Sequence, residues 1–154
     1  AGQFQGMVIE GVVYDYTSIS TVEVIDYHGS VHPAIVLNID EKNDLCLLLT
    51  AGEYSVPVPI ASEMPPIGDR VYNVAAPMGI FEPGMALMFD GYYSGEDWRN
   101  NVYYTIPAYP GSSGSAVFNG EGEIIGIIHS ATMAFPHVAI ASNLDAVQEL
   151  VEGH

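Results

Sequence analysis

The chain has 154 residues, 49% of them hydrophobic, enough to bury one substantial core or two small ones. Nineteen acidic residues stand against only Lys42, Arg70 and Arg99, and the formal charge of -16 argues against nucleic acid as a partner, since phosphates are met by clustered Lys and Arg. No apolar run approaches the roughly 20 residues that span a bilayer. The first residues also lack the basic start of a secretion signal, so a soluble protein is expected.

Sixteen Gly and ten Pro among short runs of β-branched and aromatic residues point to an all-β class. Residues 22–25 and 34–37 form two strands around the polar stretch Asp26-Tyr27-His28-Gly29-Ser30, a hairpin with Gly29 as the permissive backbone position. Residues 45–49 are continuously apolar, as in a buried strand, and Cys46 within them is expected to be a buried thiol. It is the sole cysteine, so no intrachain disulfide can form. Pro57, Pro59, Pro65 and Pro66 then break regular structure, which makes 61–68 a linker between a first module, 1–60, and a second, 69–154.

In the second module, 71–76 is a strand followed by the turns Pro77-Met78-Gly79 and Pro83-Gly84. Strands at 86–93 and 102–106 flank a polar tip, and Asn119-Gly120-Glu121-Gly122 joins 117–118 to 124–128 in a tight hairpin. Residues 138–141 are the last strand. Ser142 or Asn143 caps a short helix whose apolar positions Leu144, Val147, Leu150 and Val151 follow a helical period.

Pro110-Gly111-Ser112-Ser113-Gly114-Ser115 lies between a strand and a hairpin, in a sharp turn that holds a serine hydroxyl clear of the backbone. The glycines let the chain approach a substrate carbonyl and aim the amides of Gly111 and Ser113 at a developing oxyanion, which is what acyl transfer by serine requires. By itself the hexapeptide also fits a Gly/Ser-rich turn without chemistry.

The run Gly111-Ser112-Ser113-Gly114-Ser115-Ala116-Val117, followed by Gly122-Glu123-Ile124-Ile125-Gly126-Ile127-Ile128, resembles the nucleophile loop and next hairpin of trypsin-like serine peptidases. It is most similar to the HtrA-type and viral or phage-encoded members. Asp40-Glu41-Lys42-Asn43-Asp44-Leu45-Cys46-Leu47-Leu48 resembles their segment bearing the triad aspartate. Ile67-Gly68-Asp69-Arg70-Val71 through Pro77-Met78-Gly79 resembles the start of their second barrel, and Val138-Ala139-Ile140-Ala141 their closing strand. The resemblance implies two six-stranded antiparallel β-barrels of the chymotrypsin-like kind, the first short on its N-terminal side, with a short C-terminal helix and an active site in the cleft between the barrels. It further implies Ser113 as nucleophile, Asp44 as the acid that orients a histidine, the Gly111 and Ser113 amides as oxyanion hole, a protein or peptide substrate, and neither cofactor nor metal.

One part of the pattern is different. Where the family carries a stretch such as Thr-Ala-Ala-His-Val-Val, this chain has Met7-Val8-Ile9-Glu10-Gly11-Val12-Val13-Tyr14, which puts Gly11 or Tyr14 at the histidine position. The expectation is an endopeptidase domain impaired for lack of its base; the alternative is a pseudoprotease that serves as a protein-binding or structural virion module. His28 and His32 satisfy the order of the triad but lie in and just after a turn, which also breaks the geometry of a His-x3-His metal pair. By the same resemblance Pro107, Ala108, Ile128, His129 and His137 wall the primary specificity pocket. No acidic residue stands at its base, so a preference for Lys or Arg is not supported, and each histidine suits a structural role better than a functional one.

Self-repulsion of a -16 surface opposes compaction, and mobile ions screen it over roughly 8 to 10 Å at moderate ionic strength. The melting temperature should therefore rise from low to high sodium chloride; a flat or falling curve would mean that the acidic residues are already compensated.

Overall fold

The computed structural model describes residues 7–9, 12–14, 22–51, 56–132 and 134–153. In the first half, β1 (Met7–Ile9) and β2 (Val12–Tyr14) pair as an antiparallel hairpin. Strands β3 (Val22–Ile25), β4 (Val31–Asp40) and β5 (Leu45–Thr50) form a separate antiparallel sheet in that order. Asp26 builds the β3–β4 turn: its carboxylate accepts from the amides of His28 and Ser30, each at 2.9 Å, and meets His32 Nε2 at 2.8 Å. That bond network lets pairing start at once, Ile25 opposite Val31 and Glu23 opposite Pro33, so β4 begins three residues ahead of the predicted position 34. In the next turn Asp40 accepts from the amide of Asn43 at 3.1 Å and from its side chain at 2.6 Å.

The second half closes into one antiparallel barrel. Its strands are β6 (Arg70–Ala75), β7 (Leu87–Glu96), β8 (Val102–Tyr104), β9 (Ala116–Phe118), β10 (Ile124–Ala131) and β11 (Ala139–Ser142), in the order β10-β11-β8-β7-β6-β9. Closure leaves no sheet edge unpaired, and breaks of register at Tyr93/Gly95, Ile124/Gly126 and Ile128/Ser130 supply the bends it needs. Val71, Val102, Tyr104, Val117 and Ile125 fill the interior with no exposed surface. Burial pushes the Tyr104 hydroxyl far above its ordinary range, so it stays protonated.

Helix α1 (Leu144–Glu152) starts at Asn143, whose side chain accepts from the Ala146 amide at 2.8 Å, and Asp145 adds a favourable charge to its first turn. Ala146, Val147 and Leu150 bury against Leu45 of β5, with Ile124 and Ile127 of β10 packed alongside, so the helix joins the two halves. The segment ahead of β6 is also tied to the barrel. Ile60 bridges Ile124, the Ala61 amide donates to the Ile124 carbonyl at 2.9 Å, and Gln148 donates to the Ala61 carbonyl at 2.7 Å.

The architecture is all-β with a short C-terminal helix, as expected, and the second barrel has its six strands. The first half, expected to be short, comprises among the described residues the β3–β5 sheet and the β1–β2 hairpin. One expectation is corrected: 45–49 is not a buried strand, for Leu45 is buried while Cys46, Leu48 and Leu49 are exposed. Strand pleating turns Leu45 inward against α1 and Cys46 outward, a distinction that an unbroken apolar run hides. Among the described residues no helix is long and apolar enough to cross a membrane.

A Cβ on Gly91 of β7 would stand 2.0 Å from the Thr105 carbonyl oxygen, a backbone atom that cannot swing aside. Gly91→Ala should destabilise the barrel by about 3 kcal/mol or more. Urea unfolding with little change in midpoint would show that the strands can separate there.

Candidate active site

The turn that carries Ser113 is shaped by its neighbours. The Met78 amide donates to the Pro110 carbonyl at 2.6 Å, which lays residues 110–111 on the Ala76–Gly79 turn. Gly111 has φ +98°, and a Cβ there would come within 2.8 Å of the Ala76 carbonyl oxygen, so both backbone and space require glycine. Beyond it the amides of Ser112, Gly114 and Ser115 donate to the carbonyls of Tyr109, Ile128 and Ser112. Among the described residues no backbone carbonyl takes up the amides of Gly111 and Ser113. Two unengaged N–H groups bracketing an exposed serine are the donors an oxyanion would need.

Ser113 is exposed while Ser112 beside it is buried, so the turn presents one hydroxyl and tucks the other away. The Ser113 hydroxyl donates to the His129 carbonyl at 3.2 Å. Across from it, Asp44 sits at the end of the β4–β5 turn with φ +54°, a conformation that Asp tolerates better than most residues. Asp44, Ser113 and His129 line one cavity of about 800 Å³, whose apolar wall includes Leu45, Ile127, Val147 and Leu150.

His129 is part-buried, and that burial pushes its pKa below the ordinary histidine value, while the Asp44 carboxylate pulls the other way. The ring is thus held neutral at pH 7. Its folded-state pKa lies below the unfolded one, so the unfolded chain takes up the proton first as pH falls. The neutral ring's contribution to stability is complete above about pH 6.5 and is lost below it, down to the folded value.

The structure brings Asp44, Ser113, Ile128 and His129 together around this cavity. His28 and His32 stay at the β3–β4 hairpin, with His32 bonded to Asp26, and do not line it. Of the other proposed pocket residues, Ala108 belongs to the barrel core, Pro107 is part-buried and lies off the cavity, and His137 is exposed with its ring 5.4 Å from that of Phe135. Gly11 lies outside the described residues, and of Tyr14 only its place in β2 is described. That the Asp44 charge reaches His129 was not expected from the sequence, because it depends on how far the β4–β5 turn reaches over β10.

Residues 7–127 match the family described as the trypsin-like peptidase domain, and the chain belongs to that family. Its fold is similar to that of the serine endoprotease from Yersinia pestis, with a TM-score of 0.74 and 22% identity over 87% of this chain and 48% of that one. It is also similar to the inactive form of a serine-to-alanine mutant of a protein from M. tuberculosis H37Rv, with a TM-score of 0.65 and 15% identity over 92% of this chain and 68% of that one. The chain spans about half the length of the Yersinia pestis structure. A search of curated protein sequences finds no match.

Replacing Asp44 with Asn removes the carboxylate that favours the imidazolium and should lower the His129 pKa further. Titration of the His129 ring by NMR in both proteins checks this; an unchanged or higher midpoint would show that the carboxylate does not reach the ring.

Proposed function

We propose that the chain is a serine endopeptidase domain that acts on protein or peptide substrates through an acyl-enzyme on Ser113, in a form impaired for want of its catalytic base. The observation that carries this reading is the shared cavity of Ser113 and Asp44, together with the unengaged amides of Gly111 and Ser113. In the reaction the Ser113 oxygen attacks the scissile carbonyl carbon, and the two amides stabilise the negative charge that moves onto its oxygen. The leaving amine departs once protonated. Both the hydroxyl's proton and the amine's must pass through a base placed between serine and aspartate. Gly11 and Tyr14, at the family's histidine position, cannot perform both transfers near neutral pH. Division into modules 1–60 and 69–154 joined by 61–68 accords with this reading. The same lack favours a second one, a pseudoprotease that holds a protein segment in the cleft without cutting it.

A peptide boronic acid separates nucleophile from base. Its trigonal boron accepts the Ser113 oxygen and the hydroxyl proton leaves to solvent, so a tetrahedral adduct forms at mildly alkaline pH. The chain should form this adduct, Ser113→Ala should abolish it, and peptide hydrolysis should stay within roughly 10³-fold to 10⁴-fold of the uncatalysed rate. Absence of the adduct would remove Ser113 from the role; rapid hydrolysis lost only in Ser113→Ala would disprove the impairment.

A further inference from the structure

Asn73 on β6 has no exposed surface and lies opposite Val117 of β9. Its side-chain amide donates to the Ser115 hydroxyl and to the Ala116 carbonyl, both at 2.9 Å. The Ser115 hydroxyl in turn donates to the Ser112 carbonyl at 2.5 Å. Ser112, itself buried, accepts from the Tyr109 amide through its hydroxyl at 3.2 Å, and its own amide returns to the Tyr109 carbonyl at 2.8 Å. A continuous run of hydrogen bonds therefore leads from the barrel interior to both sides of Ser113.

Stability alone does not account for Asn73. Burying an amide costs roughly 1 to 3 kcal/mol unless it is fully bonded, and among the described residues its Oδ1 has no partner. Apolar groups of similar shape in place of both Asn73 and Ser115 would cost the barrel little beyond the donor lost to the Ala116 carbonyl. What the amide does is clamp the start of β9 and orient the Ser115 hydroxyl, which can then pin the carbonyl of Ser112. Fixing that carbonyl fixes the peptide plane between Ser112 and Ser113, and with it the direction of the Ser113 amide.

We propose that Asn73 and Ser115 form a positioning relay that holds the 111–115 turn with the Gly111 and Ser113 amides facing solvent together. This rests on the reading of Ser113 as nucleophile. Neither residue touches substrate in this role; both act through the backbone of the turn.

The experiment measures affinity for the peptide boronic acid and the ¹¹B resonance of its adduct in the full chain, for wild type, Asn73→Ala, Ser115→Ala and the double variant. Melting temperatures are taken in parallel and binding is read well below them. Each single variant should bind about tenfold or more weakly, against the roughly 10²-fold that a 1 Å misplacement can cost. The adduct's resonance should move, and the double variant should bind no worse than the weaker single one, because both break the same relay. Affinity and resonance unchanged from wild type, with only the melting temperature lowered, would overturn the relay and leave the proposed function intact, as would fully additive losses. Should Asn73→Ala fail to fold, Ser115→Ala, altered at a part-buried site, decides by the same criterion. Wild type that forms no adduct at Ser113 overturns the site reading and the relay with it.

Discussion

The geometry of the site depends on closure of the β6–β11 barrel. A closed sheet has no freedom to slide one strand against another without breaking pairs all the way round. The β9–β10 ladder runs on past Ala116: the Ile128 amide donates to the Ser115 carbonyl at 2.9 Å and the Gly114 amide to the Ile128 carbonyl at 2.7 Å. The turn holding Ser113 is therefore an extension of the barrel wall. The Ala76–Gly79 turn meets it from the other side, at the end of β6, which is bonded to β9 in the same wall. A serine placed between two such fixed points needs little further restraint, and what it needs comes from within, through Asn73.

Asp44 is held by different means. It hangs on a turn tied by Asp40 and Asn43, and the strand after that turn meets the barrel through Leu45 and α1. Ser113 and Asp44 thus sit on two parts of the chain joined by an apolar contact, each on a turn shaped by its own hydrogen bonds. His129 lines the same cavity, its ring neutral and within reach of the Asp44 charge. The cavity gathers a carboxylate, a hydroxyl and an apolar wall to which the helix contributes Val147 and Leu150.

Much of this can be read from the residues alone. Turns are legible because their chemistry is local: Asp26 with Gly29, Asn119 with Gly122 and Asn143 ahead of a helical period each act on backbone within a few positions. The Gly-Ser run is legible for the same reason, since only such a run permits the backbone that Gly111 adopts. Resemblance over several segments in order brought Asp44 beside Ser113. What could not be read is long-range. Which face of β5 meets α1 decides that Cys46 is exposed, and no pattern within 45–49 shows it. Asn73 sits between Tyr72 and Val74 like any polar residue in an alternating strand. That it points inward follows only from barrel register, and its partner Ser115 is far along the chain. His129 was legible as a candidate pocket residue, but its relation to Asp44 appears only when the two halves are packed together.

The position of α1 bears on the order in which the molecule can be made. Leu45 emerges from the ribosome well before the residues that cover it, Ala146, Val147 and Leu150, which lie far along the chain. The barrel can close on contacts within its own half, but the β3–β5 sheet must keep that apolar surface waiting until the helix arrives. Domains formed during synthesis usually settle from the N-terminal side. Here the late helix is a latch, and the wall of the cavity is completed after the turn bearing Ser113 has already taken shape.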